Sequence, residues 1–184
     1  MISLGNKFYS YKELKKIGFK KIEKNILIKK SVQFHFCENI SLGNNLRIDD
    51  FTILTGRGGL TIGDFVHISS HCNILGKKGI IIGNHVTLAP TINIFSSTDD
   101  YHGNRLHHPM LNKKKLGSYG GKVVIKNHVI IGSHSVILPD LEIGEGTSIG
   151  SLSLVKSTLS PWTIYCGIPV KKIGKRKKKM LQLL

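Results

Sequence analysis

The sequence predicts an all-β chain wound as a parallel β-helix of hexapeptide repeats, and three observations carry that reading. Aliphatic residues recur every six positions at Leu42, Ile48 and Leu54, then Ile62, Ile68 and Ile74, then Ile82, Leu88 and Ile94. These trios are offset by 20 residues, so that LGNNLRIDDFTILTGRGGLT, IGDFVHISSHCNILGKKGII and IGNHVTLAPTINIFSSTDDY align without gaps. After an interruption the same phase resumes at Ile125, Ile131, Ile137, Ile143, Ile149 and Val155, now with 18 residues per three hexads.

Neither the 3.6-residue period of a helix nor the drifting phase of a β-sandwich keeps a six-residue step over more than 100 residues. A triangular coil does, with three short strands that each point one aliphatic residue inward. A second, weaker apolar or small position precedes the first by two, as at Val66, Cys72, Val86, Ile92, Val123, Val129 and Leu141. Gly, Asn and Asp fall at the corners, where positive φ is expected. Outward positions Ile53, Ile81, Ile130, Val136 and Leu154 are apolar and need covering.

Three pieces lie outside the repeat. Residues 10–18, SYKELKKIG, carry a Ser10-x-x-Glu13 capping box and a closing Gly18, which predicts a short N-terminal helix. Residues 170–184 suggest a basic C-terminal helix, with Gly174 against it. The segment from about Ser96 to Gly121 breaks the register and projects as a loop holding two carboxylates, three histidines, an arginine and two tyrosines, a composition that suggests function. The expected organisation is one domain over 1–184, with a helix and lead-in at 1–25, coils at 26–95 and 122–160, the loop at 96–121 and a tail at 161–184.

Composition narrows the function classes. No run of 18 apolar residues and no apolar stretch in MISLGNKFYSYKELKK supports a membrane span or signal peptide, so a cytoplasmic location is expected. Cys37, Cys72 and Cys166 lack CxxC spacing and read as small buried hydrophobes. The net charge of +16 is concentrated at the ends, nine lysines in residues 1–30 and seven Lys or Arg in 171–179. Such ends suit nucleic acid, an anionic surface or a polyanionic small molecule. The absence of aromatics from 171–184 weighs against nucleic acid.

The chain resembles the hexapeptide-repeat acyltransferases, the left-handed parallel β-helix family of galactoside, maltose and nucleotide-sugar acetyltransferases. The resemblance rests on VIIGSHSVILPDLEIGEGTSIGSLSLV (129–155), SPWTIYCGIPVKKI (160–173) and NIFSSTDDYHG (93–103), and looks closest to enzymes that acetylate amino sugars on nucleotide carriers for surface polysaccharides. It implies a homotrimer with sites between subunits, acetyl-CoA as co-substrate and no metal. By the same resemblance the pantetheine arm lies near Gly150 and Ser151, whose backbone would bond it, with Gly167, Ile168 and Pro169 near the nucleotide end. Lys171, Lys172, Lys175 and Arg176 would meet the coenzyme phosphates.

Sugar O-acetyltransferases of that family carry a histidine base just after the strand matching Ile92 to Phe95, where this chain has Ser97, Thr98, Asp99 and Asp100. A sugar hydroxyl benefits from a positioned base, whereas an amine needs only to lose one readily removed proton, so a carboxylate there favours an amino-sugar acceptor. Asp99 and Asp100 are therefore the first catalytic candidates. His102, which a loop could bring to the same place, and His67, which points outward beside Asn73 and Asn93, are the others. Asn73, Asn93, Ser97 and Arg105 are candidate substrate contacts. His85 and His128 repeat one corner position in IGNHV and IKNHV and read as structural. Zinc held by His67, His102 and His107 is disfavoured, since two of the three sit in the loop. Two alternatives stand beside N-acetylation: sugar O-acetylation from His102 or His67, and a non-catalytic β-helix with basic arms.

Overall fold

The structure is a computed structural model that describes residues 7–183, the side chain of Lys113 aside. Its coils stack into a three-sided prism. The first side holds Lys21–Ile22, Ile40–Leu42, Leu60–Ile62, Ile80–Ile82, Val123–Ile125 and Leu141–Ile143. The second holds Ile26–Ile28, Leu46–Ile48, His67–Ile68, Thr87–Leu88, Ile130–Ile131, Ser148–Ile149 and Thr163–Cys166. The third holds Gln33–His35, Ile53–Thr55, Asn73–Leu75, Asn93–Phe95, Val136–Ile137 and Leu154–Val155. Neighbouring coils pair in parallel, Ile48 opposite Ile68 and Leu54 opposite Ile74, so the 20-residue offset of the sequence is the circumference of a coil.

Every residue of the six-residue series from Leu42 to Val155 is at most 2 % exposed and joins one aliphatic column. At about 1.5–3 kcal/mol for each buried Ile, Leu or Val, that column is the main favourable contribution to folding. The coils begin one strand earlier than expected, at Lys21–Ile22: Ile22 pairs with Leu42, Ile28 with Ile48 and Phe34 with Leu54. The helix Tyr11–Lys16 forms as its capping box predicts, Ser10 and Glu13 bonding reciprocally, and buries Leu14 against the core.

The corners follow the expected rule in part: Asn25, Asn45, Asp140, Gly59, Gly79 and Gly146 have positive φ, but so do aromatic, histidine and other side chains. Positive φ falls on Asn25, Asn45, Phe65, His85 and His128 along one edge, and on Phe51, His71, Thr91, His134 and Leu152 along another. The glycines Gly43, Gly63 and Gly83 are needed for clearance instead. A Cβ on each would sit 2.5, 2.3 and 2.5 Å from the side-chain oxygen of Asp64, Asn84 and Asn127 in the next coil. Those oxygens accept from the backbone N–H of Asn44, Asp64 and Asn84 at 2.6, 2.8 and 2.9 Å, a ladder that closes the corner from coil to coil. Along the adjoining edge Phe65 stacks on His85 and His85 on His128, which gives those two histidines the structural place expected of them.

The expected C-terminal helix does not form over its predicted length. Lys171–Lys175 is a strand, antiparallel to Thr163–Cys166, and only Lys179–Leu183 turns as a short 3-10 helix. Pairing with an open sheet edge overrides the helical preference of a lysine run.

Candidate active site

The loop leaves the third side after Phe95 and returns at Gly121, while Ile80 pairs directly with Val123 across the gap. Its neck is a two-residue antiparallel pair, Thr98 with Tyr119 and Asp99 with Ser118. Ser96 anchors it, its hydroxyl donating to Leu75 O at 3.2 Å and accepting from Lys78 N at 2.8 Å. Farther out, Leu106 and Leu116 bridge the two limbs, and Gly117 lies so close that a Cβ would be 2.4 Å from Arg105 Cβ.

This folding gathers Asp99, Asp100, Tyr101, Arg105 and His107 around one cavity of about 500 Å³. Asp99 is exposed and Asp100 is buried. Asp100 Oδ1 accepts from His102 N at 2.8 Å, which fixes the carboxylate, but its buried Oδ2 has no hydrogen-bond partner among the described residues. A buried acceptor left unpaired costs about 1–3 kcal/mol, more when charged. Arg105 spends Nη1 on Lys114 O at 3.2 Å. His102 is exposed, its ring edge-on to Tyr119 at 6.4 Å. Ser97 sits in the neck against Gly120.

His67 is elsewhere, on the second side, with Asn73 and Asn93 around the corner on the third, so these three do not share the face expected of them. His67 Nε2 lies 2.8 Å from Asp49 Oδ2, and Asp49 Oδ1 accepts from Arg47 Nε at 2.9 Å. Burial raises the Asp49 carboxyl, but these two partners outweigh it and leave the group below the ordinary carboxylate range. This pairing was readable in principle. The 20-residue offset sets Arg47 beside His67, and Asp49 shares Arg47's outward parity. Asn73 Nδ2 donates to Asn93 Oδ1 at 2.8 Å, a coil-to-coil amide pair.

At the C-terminal end the expectation for Arg176 is corrected, and that for Gly150 narrows to its carbonyl. The Gly150 N–H is committed to Tyr165 O at 2.8 Å and its carbonyl accepts from Ser153 Oγ at 2.7 Å, while the Ser135 hydroxyl donates to Gly132 O at 2.8 Å, so only the second lone pair of the Gly150 carbonyl is open to an arm. Arg176 turns inward, Nη1 donating to His128 O at 2.7 Å and Gly146 O at 3.2 Å, with Nη2 at Met180 Sδ, so it closes the last corner rather than meeting phosphates. Ser151, Ile168, Pro169, Lys171 and Lys172 stay exposed at this end, beside Gly167 with φ +110°. Among the described residues no group of three or more His, Cys, Asp or Glu is placed to hold a metal ion, and no helix is long and apolar enough to cross a membrane.

A family pattern described as "Bacterial transferase hexapeptide (six repeats)" matches residues 122–157. The chain is 40 % identical over 172 residues, 93 % of its length and 90 % of the relative's, to the dTDP-4-amino-4,6-dideoxy-D-glucose acyltransferase of Escherichia coli. A variant of AntD, an N-acyltransferase from Bacillus cereus solved with dTDP-4-amino-4,6-dideoxyglucose and coenzyme A, superposes with a TM-score of 0.93 at 44 % identity, covering 97 % of this chain and 95 % of that one. AntD solved with dTDP and 3-hydroxybutyryl-CoA gives 0.91 at 43 %, covering 96 % and 93 %. With its coils, its neck of carboxylates and these full-length likenesses, the chain belongs to the hexapeptide-repeat acyltransferase family.

Proposed function

We propose that the protein transfers an acyl group from an acyl-CoA to the amine of a nucleotide-linked amino sugar. One observation carries this reading: Asp99 and Asp100 both line the loop cavity, at the place where, by the resemblance, sugar O-acetyltransferases of the family carry a histidine. The likeness to N-acyltransferases that act on or bind a dTDP-amino sugar supports the same acceptor class.

In the reaction the acceptor arrives as an ammonium, which the carboxylates attract and from which a carboxylate, directly or through water, takes one proton. The neutral amine then attacks the thioester carbonyl carbon, the C–S bond breaks, and the departing sulfur takes a proton to leave as the thiol. One amide and one free thiol form, with one net proton released. Gly150, through its carbonyl, and Ser151, Gly167, Ile168, Pro169, Lys171 and Lys172 remain the proposed coenzyme contacts. Asn73, Asn93, Ser97 and Arg105 are the proposed acceptor contacts, and His102 and His67 stay as secondary candidates for the base.

The acyl group is proposed as acetyl, and the active form as a cytoplasmic homotrimer whose contacts cover the outward apolar residues. Ile81 and Ile130 remain 36 % and 39 % exposed in the single chain, which fits such covering. The Asp49–His67 pair supports a second reading, O-acylation with His67 as base.

Thiol release from acetyl-CoA and longer acyl-CoAs, with nucleotide-linked amino sugars and their hydroxyl counterparts as acceptors, tests this. Turnover on amines alone is expected. Turnover on hydroxyl acceptors alone, abolished by His67→Ala, would replace it with the second reading.

A further inference from the structure

Residues 146–184 contain eight Lys or Arg and no Asp or Glu. The N-terminal end is also basic, but there Glu13 pairs with Lys30 at 2.6 Å, Glu23 with Lys21 at 2.7 Å, and Asp50 lies 3.8 Å from Lys29. Among the described residues no cation from Lys171 to Lys179 has an ion-pair partner. We propose that this C-terminal tail docks the protein on an anionic membrane surface, lying against the lipid headgroups without crossing the bilayer.

The local structure explains how the lysines come to face outward. Arg176 is the residue of the run that turns in: its N–H donates to Trp162 O at 2.9 Å, Nη1 to His128 O at 2.7 Å, and Nη2 lies 3.4 Å from Met180 Sδ. That anchor holds the strand Lys171–Lys175 and the turn Lys179–Leu183 to the last coil. Around it Lys175, Lys177, Lys178 and Lys179 are all exposed, Lys178 lying 5.1 Å over the Trp162 ring. Lys171 and Lys172, the proposed coenzyme contacts, pair with Cys166 and Tyr165, whereas Lys175 pairs with Thr163 at the strand's other end. The four cations from Lys175 to Lys179 are therefore left to a different partner.

The apolar side chains decide which partner that is. Ile173, Leu181 and Leu183 stand among the lysines at 66 %, 37 % and 86 % exposed. Nucleic acid matches the charge but gives nothing to cover these aliphatic groups, and the tail has no aromatic on which a base could stack. An anionic bilayer offers both contacts at once. Lysine charges meet the headgroups, and leucine and isoleucine side chains enter the boundary with the acyl chains. A basic patch alone binds weakly and with strong salt dependence, so the two contributions act together.

Flotation of the full-length protein with vesicles of phosphatidylcholine and phosphatidylglycerol in equal parts, against phosphatidylcholine alone, is the test. It is run on wild type, on Lys177→Gln with Lys179→Gln, and on Leu181→Ser with Leu183→Ser. These four positions are exposed and lie outside the proposed coenzyme and acceptor contacts. Wild type is expected to float with the mixed vesicles and not with phosphatidylcholine alone. Binding should weaken about twentyfold in the lysine variant and about tenfold in the leucine variant, with calorimetric CoA binding unchanged in both. No flotation with the mixed vesicles, or equal flotation of all three proteins, would overturn the proposal. Binding to duplex DNA without vesicle binding, lost in the lysine variant and kept in the leucine variant, would give the surface to nucleic acid instead. A changed sedimentation coefficient in the leucine variant would also overturn it, by making Leu181 and Leu183 a contact between copies of the chain.

Discussion

Replacing Arg176 with alanine separates a structural arginine from a coenzyme ligand. The guanidinium sits over the last corner, donating from one nitrogen to His128 O at 2.7 Å and Gly146 O at 3.2 Å, with Thr147 O at 3.4 Å. Hydrogen bonds to a charged donor contribute about 1.5–3 kcal/mol each, and two that share one nitrogen are not fully additive, so a loss of about 3 kcal/mol is expected. For a chain of this length that is a fall in Tm of about 6–12 °C. Arg176→Lys recovers only part of it, because an ammonium lacks the planar fork. The assay pairs thermal denaturation with KM for acyl-CoA, expected to change by less than about threefold. An unchanged Tm with a KM raised by an order of magnitude would refute this reasoning and return Arg176 to the coenzyme phosphates.

Other consequences follow from the same end of the prism. Gly146 has φ +64°, and a Cβ there would lie 2.5 Å from the Trp162 ring, so Gly146→Ala should destabilise by about 1–2 kcal/mol and displace that ring. Trp162 is the chain's one tryptophan, so a shift in its fluorescence checks this. His128 is held below the ordinary imidazole value of 6.5 by burial, with the stacked His85 adding to it. Just below that value the unfolded chain binds more protons than the folded one. Stability is therefore complete above about pH 6.5 and declines as pH falls through the folded pKa, and melts from pH 8 to 5 should show a slope that His128→Gln flattens.

The prism was legible because its rule is local and repeated. Each aliphatic six residues on must point inward, and all fifteen of the series from Leu42 to Val155 do so. The capping box at Ser10 and Glu13 and the paired corner histidines were legible for the same reason. What escaped depended on partners distant in sequence. The first strand of the first coil was hidden because Ile22 lies in a lysine-rich stretch that reads as a lead-in. The tail's strand is decided by the open edge at Thr163–Cys166, and Arg176's role by carbonyls 48 and 30 residues away. The loop's carboxylates were proposed from their place in the sequence, but only the fold distinguishes exposed Asp99 from buried Asp100.

The measurement that most directly tests the central claim is kcat/KM for a nucleotide-linked amino sugar against pH, for wild type, Asp99→Asn, Asp100→Asn and His102→Ala. Loss of the proton-accepting carboxylate should lower the rate about 10²- to 10⁴-fold near neutrality. That deficit should shrink as rising pH supplies the neutral amine without help, while His102→Ala stays near wild type. Wild-type rates in both asparagine variants, with the loss appearing in His102→Ala instead, would contradict the account.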